Sequence, residues 1–193
     1  MEHGPTPEQI KRRDRTEARI NSIGSQMHEE WRAPRLIGEV GDSKRYKPRP
    51  KPTTDLIWSQ AHDGTRSVDI ANTSYPDLPK DAQEENRASA EVAVHEVEKA
   101  IDADIPLDEA FIESASSTLH DKWMERRIAL GYSQAKLDLL KEKTDKTEDE
   151  HFYFDRWSYD EKNMVPYMSL SEEEKEKDRV VIRKAIVVCN KKE

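Results

Sequence analysis

The sequence predicts a mainly α fold with small β elements (α+β), in which two helix–insert–helix repeats pack about a pseudo-two-fold axis. Three observations carry this expectation. The first is an internal repeat. His28-x-x-Trp31 returns as His120-x-x-Trp123, Tyr75-x-x-Leu78 as Tyr167-x-x-Leu170, and Arg87 as Arg179, each pair 92 positions apart. A constant offset across well-separated motifs marks the duplication of one unit with little drift in length. The second is apolar periodicity of helical type on both sides of a long insert in each copy. The third is size. The chain has 193 residues, 34% of them hydrophobic, and Leu, Ile, Val and Phe make up under a fifth. A unit of half that length has too little core to stand alone.

The first element reads as a helix, with Thr6 as N-cap and Pro7 at the first helical position. Ile20, Ile23, Met27 and Trp31 step by three, four and four along one amphipathic face, and Pro34 limits its end. Residues 1–14 read as a helical extension before a first repeat spanning 15–101. From Leu36 to Thr73 the pattern is irregular. Pro48, Pro50 and Pro52 suggest an extended segment, Leu56-Ile57-Trp58 is a small apolar cluster, and Val68-Asp69-Ile70 reads as a short strand. A second helix carries the stripe Ala90, Ala93, Val94, Val97 and Ile101.

Residues 102–108 read as a short linker to a second repeat, 109–193. Its first helix presents Ile112, Ala115, Leu119 and Trp123, and its closing helix Ile182, Ala185, Ile186 and Cys189. Between them, Gly131 to Pro166 reads as another long irregular insert, with Leu137, Leu139 and Leu140, a polar stretch, Phe152-Tyr153-Phe154 and Trp157. Ser169-x-x-Glu172 and Ser171-x-x-Glu174 both fit the capping-box pattern. The offset sets Asp77 opposite Ser169, and that pair is the expected set of N-caps. Cys189 lies on the apolar stripe and reads as a small buried hydrophobe, not a nucleophile.

The charge balance, 32 basic against 40 acidic residues for a net −8, argues against nucleic acid or an anionic membrane as partner. No apolar run approaches the roughly 20 residues that span a bilayer, and the N-terminal residues lack a signal-peptide core. With a single cysteine, these features lead to the expectation of a soluble, cytoplasmic protein. No phosphate loop, GxGxxG, GxSxG, Cys-x-x-Cys or His-Glu-x-x-His pattern occurs, so neither catalysis, metal nor cofactor is expected.

The repeat resembles the ryanodine receptor (RyR) repeat. Copy two carries the likeness in His120, Trp123, Gly131-Tyr132, Val165-Pro166-Tyr167, Leu170, Glu172 to Lys175 and Asp178-Arg179; copy one in His28, Trp31, Tyr75, Leu78-Pro79, Asn86 and Arg87. The tandem covers roughly residues 15 to 191. The resemblance implies helices with small β elements in the inserts and, as in stand-alone microbial or viral forms, a suspected role in sensing nucleotide-derived signals. Copy one departs from the pattern: Asn86 stands opposite Asp178, and Ala82 replaces the usual acidic residue.

The candidate ligand-binding residues are Trp31, Arg35, Tyr46, Trp58, Arg87, Trp123, Arg126, Trp157 and Arg179. Arg87 and Arg179 lie on the line of the apolar stripe, where a guanidinium either pairs with an acid of the neighbouring helix or faces an anionic ligand. Trp31 and Trp123 have the period of core residues, yet could form a wall on which adenine stacks. Trp58 and Trp157 come from the inserts and suit a pocket wall, whereas Tyr75 and Tyr167 suit packing on the following helix. His28 and His120 read as helix-edge groups bonded to a loop. The run Lys44 to Lys51, with five cations in eight positions, is the best anion-binding stretch. The expected ligand is an adenine nucleotide or an ADP-ribose-derived signal. The alternative is a protein-interaction module using the two inserts. Because the copies differ most in their inserts, one asymmetric site, or two unequal ones, is expected.

Overall fold

Thr6 opens a long first helix. Its hydroxyl accepts the Gln9 N–H at 3.2 Å while Gln9 accepts the Thr6 N–H at 2.8 Å, a reciprocal capping box with Pro7 at its first turn. The computed structural model describes residues 4–191. The first three residues, assigned above to the N-terminal extension, and the last two, assigned to the second repeat, lie outside the described residues. Copy one comprises α1 (Pro7–Arg32), β1 (Leu36–Val40), β2 (Ser43–Tyr46), β3 (Pro50–Pro52), α2 (Leu56–Ala61), β4 (Ser67–Asp69) and α3 (Lys80–Asp102). Copy two comprises α4 (Glu109–Ala129), α5 (Gln134–Glu142), α6 (Glu148–Glu161) and α7 (Glu172–Cys189). The fold is mainly helical with two small two-stranded sheets.

The four long helices share one core. Ile20 and Ile23 of α1 meet Ala90, Ala93, Val94 and Val97 of α3, Ile112, Ala115 and Leu119 of α4, and Val181, Ile182, Ala185 and Cys189 of α7. α1 packs on α3 as α4 packs on α7, and α1 meets α7 as α4 meets α3. Exchanging the copies leaves that pattern unchanged, and α3 packs against α7. Ala93 and Ala185, 92 positions apart, are both fully buried; small side chains there let the two helices approach closely. Burying each larger aliphatic side chain contributes about 1.5–3 kcal/mol, and neither copy completes this core alone.

The closing helices start later than the capping pattern suggested. Tyr75–Asp77 and Tyr167–Ser169 form 3₁₀ turns, and the N-caps are Pro79 and Ser171. Asp77 and Ser169 therefore do not cap. The Ser171 hydroxyl accepts the Glu174 N–H instead.

The inserts differ in kind. Insert one holds the antiparallel pairs β1–β2 and β3–β4. The β1–β2 hairpin turns at Gly41, whose φ of 60° suits glycine at the first central position of a two-residue loop. The strand expected at residues 68–70 lies one residue earlier. Insert two is helical where an irregular segment was expected. Ser133 caps α5, and Thr147 with Glu150 forms a capping box for α6. No described helix is long and apolar enough to cross a membrane.

Candidate functional site

Each copy builds the same small stack at the end of its first helix. The His28 and Trp31 rings lie 6.0 Å apart at 21°, and the His120 and Trp123 rings 5.5 Å apart at 21°. An arginine four residues on covers each indole: Arg35 at 3.9 Å from the Trp31 ring centre, Arg127 at 5.2 Å from that of Trp123. Both histidines are buried, and each Nε2 is hydrogen-bonded at 2.9 Å to a carbonyl oxygen, Thr73 in copy one and Val165 in copy two.

The stacks open onto different surroundings. Trp31 and Arg35 line a groove of about 860 Å³ between the two inserts. Lys47 to Pro52 forms one wall, and α6 supplies Phe152, Asp155, Arg156, Tyr159 and Asp160 to the other. These five positions follow the helical period and share one face of α6. Trp123 lies instead in a smaller cleft of about 200 Å³ between α3 and α4, together with Lys122 and Arg126. Glu85 and Arg127 line both cavities.

At the floor of the groove the two copies meet through charge. Glu85 on α3 accepts a hydrogen bond from Lys51 Nζ at 2.7 Å and one from Arg156 Nη2 at 2.8 Å. Arg127 on α4 stands 3.7 Å from Glu85 and 3.3 Å from Asp160. Burial disfavours charge on Glu85, but Lys51, Arg156 and Arg127 outweigh it and hold the carboxyl below its ordinary range. Asp160, only 2% exposed, is pushed upward by burial although Arg127 and Arg156 pull it back. Neither Arg127 Nε nor Asp160 Oδ2 has a hydrogen-bond partner among the described residues. The groove is lined by the cations Arg35, Lys47, Arg49, Lys51, Arg127 and Arg156, against the acids Glu85, Asp155 and Asp160. A positive excess in a chain of net charge −8 makes it a local attractor for anions.

No match was found among protein-family models, curated proteins or solved structures.

Of the nine candidate residues, the groove gathers Trp31 and Arg35, and the smaller cleft Trp123 and Arg126. Even Trp31 is no bare wall, because Arg35 covers one face of it. The other five lie elsewhere. Tyr46 is buried under Arg32, whose guanidinium sits 4.6 Å from its ring centre. Trp58 stacks on His62, donates its indole N–H to the Asp77 carbonyl at 2.8 Å and packs against the Val68, Tyr75 and Leu78 cluster. Trp157 is buried between Tyr132 and Tyr153. Arg87 pairs with Glu17 at 2.7 Å and Asn21 at 3.1 Å. Arg179 pairs with Glu113 and, at 2.9 Å, with Glu172. Both arginines thus take the salt-bridge alternative, since α1 and α4 offer each an acid across the helix–helix contact. Cys189 is buried as expected, which pushes its thiol upward.

Sequence reasoning missed Arg127, Glu85, Arg156, Asp160, Phe152 and Tyr159. The repeat held the signal for the first: Arg127 stands 92 positions after Arg35, and the candidate Arg126 is its neighbour. The α6 residues were hidden because insert two was not read as helical. Among the described residues, no group of three or more His, Cys, Asp or Glu side chains could hold a metal ion.

Proposed function

We propose that this chain is a non-enzymatic binding protein for a small anionic ligand, an adenine nucleotide or an ADP-ribose-derived signalling nucleotide, held in the groove between the inserts. The observation that carries the reading is the convergence of Lys51, Arg127 and Arg156, from three separate elements, on the floor of a groove of about 860 Å³. That volume is in the range of small-ligand sites. Guanidinium groups recognise phosphate oxygens by paired donors, and the exposed ring of Tyr159 with the Arg35 plane offers surfaces on which a base can stack. The likeness of copy two to RyR repeats favours the same ligand class. The groove draws on both copies unequally, which fits one asymmetric site.

Calorimetry against AMP, ADP, ADP-ribose and cyclic ADP-ribose tests the reading. Binding is expected, weakened at least severalfold by Arg35→Ala and by Tyr159→Ala. Absence of binding to every compound at protein concentrations of about 100 μM, weaker than about −5.5 kcal/mol, would overturn it.

A second reading has its own observation. The β1–β2 hairpin exposes three large aliphatic side chains, Leu36, Ile37 and Val40, which a protein partner would cover. Capture of one stoichiometric partner by the wild type, lost in Ile37→Lys, with nucleotide affinity unchanged, would favour this interaction role.

A further inference from the structure

Glu85 holds its cations unequally. Its two oxygens take Lys51 at 2.7 Å and Arg156 at 2.8 Å, while Arg127 Nη1 stays 3.7 Å away, beyond hydrogen-bond range. A carboxylate has two oxygens in one plane and one negative charge. A phosphomonoester has three terminal oxygens and a charge of about −1.5 to −2 near neutral pH. Three cations arriving from β3, α4 and α6 match the second shape better than the first. Arg127 is the least satisfied of them: its Nε has no hydrogen-bond partner among the described residues, although Asp160 lies 3.3 Å away. Glu85 also has a place to go. It lines the cleft between α3 and α4 as well as the groove, and there Lys122 and Arg126 stand on the opposite wall.

We propose that Glu85 is a resident stand-in for the terminal phosphoryl group of the ligand. The incoming phosphomonoester displaces its carboxylate from Lys51 and Arg156 and engages Arg127 as the third contact, while Glu85 turns toward the α3–α4 cleft. The inference rests on the groove being the anion site proposed above. It narrows the ligand class to nucleotides ending in a phosphomonoester, over cyclic phosphodiesters and over ADP-ribose, whose phosphates are internal. The stand-in keeps the three cations compensated in the free protein and sets an affinity threshold that a singly charged group does not cross.

The test compares wild type, Glu85→Gln and Glu85→Asp by calorimetry with AMP and cyclic AMP, which share base and sugar and differ in the phosphate. Wild type is expected to prefer AMP. Glu85→Gln removes the competing charge at constant shape and is expected to bind AMP about tenfold tighter, about 1.4 kcal/mol. Glu85→Asp, which withdraws the carboxylate by one methylene, is expected to tighten AMP binding by a smaller factor; it decides the matter if the glutamine variant does not fold. Wild-type binding of AMP that neither variant improves, or equal binding of cyclic AMP, overturns the stand-in role and leaves the groove reading standing. Absence of AMP binding by every variant overturns the stand-in role, and the groove reading falls with it only if ADP, ADP-ribose and cyclic ADP-ribose also fail to bind.

Discussion

Arg127 joins the two copies through charge. It faces Asp160, one of the most deeply buried charged groups described, and Glu85 of the other copy. Replacing it with methionine removes the only cation in ion-pair contact with Asp160 among the described residues and leaves the carboxylate to the weaker pull of Arg156 and Lys51, which costs about 3 kcal/mol. Denaturant midpoints should show that loss, with most of it recovered by adding Asp160→Asn. The sign with pH follows from the direction of the shift. Burial already raises the Asp160 pKa in the fold, so the charged form is the unfavourable one, and the deficit of Arg127→Met should shrink as pH falls. The equivalent histidines behave oppositely. Burial lowers the His28 pKa from its ordinary 6.5. Burial also opposes charge on His120, but hydrogen bonds to Asp178 and the Val165 carbonyl raise it above 6.5. A raised value in the fold stabilises fully below the unfolded pKa and is lost as pH rises through the folded one. Asp178→Asn, which gives copy two the residue of copy one, should therefore destabilise more at about pH 5.5 than at about pH 8.5. Unfolding at the two pH values checks this. The Asn86–Asp178 mismatch, visible in the sequence as a departure from pattern, is at this scale a difference in the direction in which the two histidines shift.

The elements record how each copy solved the same packing problem. Gly24 in α1 lies under Tyr75, and a Cβ there would meet the hydroxyl at 2.5 Å and the ring at 2.9 Å. The equivalent residue in copy two is Ser116, and there the tyrosine differs: Tyr167 donates its hydroxyl to Glu113 at 3.1 Å. Tyr75 has no such bond among the described residues. Gly24→Ala should cost about 1–3 kcal/mol by overpacking, against helix propensity that favours alanine; a lower melting temperature is the readout. Arg179 belongs to this scale too. It ties α7 to α4 through Glu113, so Arg179→Ala should lower the melting temperature while leaving nucleotide affinity unchanged. Ligation through Arg179 would give the reverse. The helix faces were legible because a period of 3.6 survives in any environment. The start of α7 was not, since two serines offered the same capping pattern, and only the 3₁₀ turn at Tyr167–Ser169 chose Ser171.

At the scale of the whole molecule, the core is common property. Ala93 of α3 and Ala185 of α7 are both fully buried in it, and Ile20, Val94, Leu119 and Ile182 come from four different helices. A chain ending after Asp102 keeps α1 and α3 but leaves their α7-facing stripe in water. It should show no cooperative thermal transition by circular dichroism, whereas the full chain should show one. The groove is a whole-molecule feature as well. Lys51, Glu85, Arg127 and Arg156 are far apart in sequence and belong to four elements of two copies. The sequence by itself determined the duplication, the four core helices and most of their buried faces, because helical period and a fixed offset are properties of the chain alone; the exception on α3 is Ile101, which is exposed while Ala100 is buried. It also marked Trp31, Arg35 and the basic run beside them. Tertiary structure decided which arginines are spoken for and which face the groove. Arg87 and Arg179 find acids across a helix contact, whereas Arg127 and Arg156, both of copy two, face one carboxylate of copy one, Glu85. Whether a guanidinium is neutralised depends on what lies within a few ångströms in space, and the spacing of residues along the chain carries no record of that distance.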